Sequence, residues 1–218
     1  VATALAIDVR RVLLQAAEAA TALLADPRVA ARWGLPSACD GWEVGGVAAH
    51  LAWAVTDVER RLALAVGEDG PGAGPAGVTA GAYLAALPAL DDPRSELSAA
   101  GRTRSAATAA TAGPHGVLAQ ARSALAALRT RLPAEPADRM VAPMDLPMSL
   151  DEYLRTCLVE ICVRAEDLAQ SLDADVPQLP DDAVRGAVDV LVDTAVHRHG
   201  PALRVHAGWD RRDASAPL

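Results

Sequence analysis

The stretch from Ser149 to Leu172, SLDEYLRTCLVEICVRAEDLAQSL, decides the fold. Leu150, Leu154, Leu158, Ile161, Ala165, Leu168 and Leu172 recur at three- and four-residue steps, the period of one face of an α-helix. Ser149, with Glu152 three residues on, has the form of a capping box that starts the helix. A helix with one apolar stripe must bury it against other elements, so the rest of the chain has to supply partners.

The partners are helices too. Residues 44–66 place Val47, Leu51, Val55, Val58, Leu62 and Val66 on one stripe, and residues 3–25 carry Leu5, Val9, Val12, Ala16, Ala20 and Leu23. Residues 117–132 and 181–197 give two more, and a short helix fits 79–87. Residues 94–112 are Ala-rich without a clear period and read as either helix or mobile segment. Gly67–Gly77 is a loop by composition, and Pro133–Met148, with four prolines, is an ordered crossing loop. No segment alternates with period two. The expected fold is all-α: four long helices around one core, joined partly by long connections.

Composition agrees. Of 218 residues 51% are hydrophobic, but none is Phe and aromatics are 3%. The core is therefore built from Ala, Leu and Val; Ala and Leu are strong helix formers, and small side chains suit close helix packing. All twenty basic residues are Arg, which with the Ala, Gly and Pro load reads as the codon usage of a high-GC genome. A net charge of −8 argues against a nucleic-acid partner. Cys39, Cys157 and Cys162 are odd in number and lack Cys-x-x-Cys spacing, so they read as reduced thiols. No segment is long and apolar enough for a membrane span, and the expectation is a soluble cytoplasmic protein without a membrane partner.

On helical wheels, Tyr153, Cys157, Glu160, Arg164 and Asp167 share a sector of roughly 80° beside the apolar stripe of the 149–172 helix. Glu43, His50, Ala54, Asp57 and Arg61 hold the corresponding edge of the 44–66 helix. If these edges face each other, His50 and Glu160 meet inside a shared cleft.

RWGLPSACDGWEVGGVAAHLAWAV (32–55) resembles a family stretch in which Gly-Trp introduces a helix with a metal-binding His followed by Leu. CLVEICVRAEDLAQSLD (157–173) is similar to a second signature: a Glu, a His four residues later, then Asp-Leu. VDTAVHRHGPALRVHAGWDRRDA (192–214) is similar to an Arg-His-Gly tail. Together these resemble the DinB-like, mycothiol-dependent maleylpyruvate isomerase proteins, known from high-GC actinobacteria. The resemblance implies a DinB-like four-helix bundle over residues 1–175, with 176–218 a helical extension packing on it. It also implies a divalent metal, zinc or similar, and mycothiol as thiol cofactor. The metal ligands would be His50, Glu160 and the residue at 164.

Position 164 is Arg, which has no lone pair to give and repels a cation. As the base one turn after Glu160 it is placed to pair with that acid, or to bind a substrate or cofactor carboxylate. Asp167 can reach a shifted ion or serve structurally. Asp57 can orient the His50 imidazole or form a solvated i,i+4 pair with Arg61. Cys157 reads as a buried structural thiol, Trp42 and Trp53 as packing anchors, His115 as loop punctuation, and His197 with His199 as a terminal basic cluster.

Three functions follow: a metal-free small-molecule binder with a degenerate site, an active metal- and mycothiol-dependent transferase or isomerase, or a dimeric interaction module. The expected partner is a small molecule or low-molecular-weight thiol, for a monomer or homodimer.

Overall fold

A computed structural model describes residues 8–64, 77–87 and 96–200. Its helices are α1 (Val9–Leu24), α2 (Pro27–Ala31), α3 (Val44–Ala63), α4 (Ala80–Ala86), α5 (Glu96–Arg131), α6 (Leu150–Ser171) and α7 (Asp181–His199). Residues 67–76 of the expected Gly67–Gly77 loop, residues 65–66 of the 44–66 helix, and the tail with His206 lie outside the described residues.

The fold is an all-α bundle. α1, α3, α5 and α6 enclose one core in which Leu51, Leu128, Leu154, Leu158, Ile161 and Leu168 are fully buried. α7 packs on α4 and α6.

Residues 94–112 resolve in favour of helix from Glu96 onward, continuous in path with the helix expected from 117. The join is a kink at Gly113, whose φ of 63° is in the left-handed region that glycine enters without strain. Pro114 follows, and its ring disfavours a helical residue before it, so α5 restarts there. His115 therefore sits in the restarted helix, not in a loop.

The capping box on α6 forms only by half. Ser149 Oγ accepts from the Glu152 amide at 3.2 Å, but the Glu152 carboxylate accepts instead from the Ala80 amide at 2.7 Å. It thereby caps the start of α4 and ties it to α6. The crossing loop is more ordered than its prolines suggest: Met140–Val141 and Met148–Ser149 pair as a short antiparallel ribbon. Arg139 and Arg131 then satisfy carbonyls at the end of α3. Arg139 donates to the Leu64 carbonyl at 3.0 Å, and Arg131 to that of Leu62. A helix C-terminus leaves such acceptors unpaired, and two guanidinium groups suit its partial negative charge.

Candidate functional site

α3 and α6 present their polar edges to each other, and α5 closes a third side. Between them lies a cleft of about 810 Å³. Its wall holds two polar clusters that meet around Cys157.

In the first cluster, His50 of α3 and Glu160 of α6 meet: Nε2 lies 3.2 Å from Glu160 Oε2. The other ring nitrogen, Nδ1, is 3.2 Å from Ser105 Oγ on α5. The imidazole is buried and stands between two tryptophans, edge-on to Trp42 at 5.4 Å and tilted against Trp53 at 5.7 Å. Arg164 Nε lies 3.6 Å from the same Glu160 oxygen, while Nη1 donates to Asp167 at 2.7 Å. Burial alone would push the Glu160 carboxyl up, but the His50 hydrogen bond and the charges of His50 and Arg164 outweigh it and hold it below its ordinary range. Arg164 also lies over the Trp42 ring at 5.7 Å. Cys39 borders this network, and burial followed by the charge of Asp167 pushes its thiol up to about 11.

The second cluster surrounds Asp57, which is 2% exposed. It accepts from Arg60 Nη2 at 2.6 Å, from Arg61 Nε at 2.8 Å, and from the Tyr153 hydroxyl. Here burial again pushes the carboxyl up, and Tyr153 with the two arginines reverses the shift downward. Burial drives Tyr153 well above the ordinary phenol range and Cys157 up to about 12. Cys157 is thus a neutral thiol at working pH, as its expected structural role requires.

His50, Glu160, Arg164 and Asp167 come together as the wheels suggest. Asp57 departs from one of its two expected roles. It forms the pair with Arg61, but buried and not solvated, and it does not orient His50; Ser105 does. Asp57 stands two turns beyond His50 on α3, too far along the helix to reach the imidazole. Trp42 packs against the core as expected and also lines the cleft, and Trp53 is a wall residue of the cleft. Ser105 and Arg104 escaped sequence reading because α5 there has little apolar periodicity. Arg104 stacks over the Trp53 ring at 4.9 Å and forms no ion pair with a described residue.

The residues do not fit a three-ligand metal centre. Two ligands of a tetrahedral zinc stand about 3.3 Å apart, so His50 and Glu160 have suitable spacing. The third family position is a guanidinium, which repels a divalent ion and already pairs with Glu160. Among the described residues no group of three or more His, Cys, Asp or Glu side chains is arranged to hold an ion.

Fold and site together define a helical bundle with its polar residues gathered in a cleft between facing helices. The chain belongs to the mycothiol maleylpyruvate isomerase N-terminal domain family, whose model matches residues 13–169. No curated protein and no solved structure matches it. Among the described residues no helix is long and apolar enough to cross a membrane.

Proposed function

We propose that this chain binds a small anionic molecule in the α3–α5–α6 cleft without a catalytic divalent metal. The reading rests on one observation: the Arg164 guanidinium lies 3.6 Å from the Glu160 oxygen that His50 also reaches. A fixed cation there pairs with Glu160 and repels a divalent ion from its oxygens. Arg60, Arg61, Arg104 and Arg164 all line the cleft of a chain whose net charge is −8. Arg60 and Arg61 pair with Asp57, and Arg164 with Glu160 and Asp167, whereas Arg104, stacked on Trp53, has no ion pair with a described residue and is placed to take a ligand carboxylate or phosphate.

Metal content and ligand binding test this together. Protein purified without chelators or an affinity tag should contain no stoichiometric zinc by elemental analysis, even after incubation with zinc. Short dicarboxylates and phosphate monoesters should quench the fluorescence of Trp42 and Trp53, which face the cleft. About one zinc per chain would overturn the metal-free reading.

The family name and the size of the cleft favour a second reading, a mycothiol-dependent transferase or isomerase. A volume of about 810 Å³ lies within the range of small-ligand sites and admits a low-molecular-weight thiol. When bound, that thiol would supply a nucleophile toward an electrophilic substrate. Arg164 and Arg104 would then hold carboxylates of thiol or substrate. Saturable binding of mycothiol, with turnover of an electrophile, would place the chain in this class.

A further inference from the structure

α7 has two apolar faces, and the bundle uses only one. Ala183, Gly186, Ala187, Val190 and Thr194 are buried against α4 and α6. Small side chains let the helix approach closely: at Gly81 of α4 an added Cβ would stand 2.2 Å from Asp193 Oδ2. The other face carries Val184, Val188, Leu191, Val192 and Val196, each between 45% and 58% exposed. At 100° per residue these five fall within an arc of about 140°, so they form one continuous stripe rather than scattered exposures.

One row of the stripe is symmetric end to end. Asp181, Val184, Val188, Val192, Val196 and His199 follow one another at steps of three, four, four, four and three residues. A two-fold axis at the level of Val190 therefore sets Val184 opposite Val196 and Val188 opposite Val192 in a second α7. It also sets Asp181 opposite His199 at each end, a carboxylate facing an imidazole. A parallel pair would instead bring like end against like end, Asp181 against Asp181.

We propose that this stripe is a homodimer interface in which two α7 helices pack antiparallel about that axis. Self-complementary contact, with each residue meeting its symmetry counterpart, is what a closed two-fold dimer requires. The apolar centre supplies the driving force, and the polar ends fix direction and register. α7 also backs α4, whose Tyr83 and Leu84 line the cleft, so the dimer would brace one cleft wall from behind.

The test is light scattering on the full chain after size-exclusion chromatography, over a range of micromolar concentrations. The parent should be a dimer, and Val188→Glu and Val192→Glu should each weaken association at least tenfold. Both positions are half exposed, so these variants should keep the parent's helical content and melt cooperatively as monomers. A chain carrying both Asp181→Cys and His199→Cys should oxidise to a disulfide-linked dimer. The two positions lie too far apart along one helix to bridge within a chain. Cross-linking by Asp181→Cys alone would indicate a parallel pair and overturn the arrangement. A parent that stays monomeric, with the stripe covered by another segment of the chain or by a different protein, would overturn the proposal. So would a dimer that survives Val188→Glu.

Discussion

Arg164 Nε lies 3.6 Å from Glu160 Oε2, so a permanent cation occupies the neighbourhood in which the family resemblance calls for a third metal ligand. The pair is local in sequence, i to i+4 on α6, and its consequence is tertiary. Together with the His50 hydrogen bond it holds down the pKa of a carboxylate that reaches across the cleft to His50, 110 residues away.

Replacing that cation should restore the missing ligand. In Arg164→His, His50, Glu160 and the new imidazole supply three ligands of the kinds zinc prefers. The variant is expected to bind about one zinc per chain by elemental analysis, and Arg164→Ala none. Failure of Arg164→His to take up metal, with its helical content unchanged, would show that the cleft geometry and not the guanidinium excludes the ion.

Asp57 holds the second cluster together, and its loss should be felt as instability. Asp57→Ala removes the carboxylate shared by Arg61, whose side chain is 11% exposed, and the buried Tyr153 hydroxyl. Breaking a buried ion pair by removing one partner costs about 3 kcal/mol or more. Urea unfolding should show a lowered midpoint with an unchanged slope, whereas Asp40→Ala, on an exposed turn, should leave the midpoint in place.

Arg104 should separate binding from stability. It is exposed, stacked on Trp53, and has no ion pair with a described residue. Arg104→Ala is expected to weaken binding of a small dicarboxylate about tenfold, the loss of one charge-assisted contact of about 1.4 kcal/mol. Its melting temperature should stay close to the parent's. Unchanged affinity would remove Arg104 from the ligand-binding surface.

Acid should unfold the chain through Glu160 and Asp57. Both carboxyls are held below their ordinary range in the folded state, so an unfolded chain binds their protons first as pH falls. Their contribution is fully present above the ordinary carboxylate range, about pH 4, and is lost as pH drops through the depressed folded values. Stability measured from pH 7 downward should therefore be level in this respect to about pH 4 and then decline. Glu160→Gln should flatten part of that decline.

Much of this molecule is set by local order along the chain. The heptad-like stripe of Leu150, Leu154, Leu158 and Ile161 can satisfy its burial only as a helix in a bundle, whatever the neighbours are. The wheel positions of His50 and Glu160 follow from that same periodicity, because a residue's place relative to its own apolar stripe dictates which side of the core it borders. What each polar group then bonds to is not a property of spacing. Glu152 has the position of a capping-box partner, yet it reaches the amide of Ala80, because α4 brings the first amide of its own helix, which has no intrahelical acceptor, within 2.7 Å. Ser105 orients His50 although nothing around it in sequence marks it, because the packing of α5 against α3 alone puts that hydroxyl 3.2 Å from Nδ1. Helical periodicity is a short-range constraint and can be read residue by residue. The pairing of buried polar groups depends on which donors and acceptors the packed helices leave unsatisfied, and only the tertiary structure decides that.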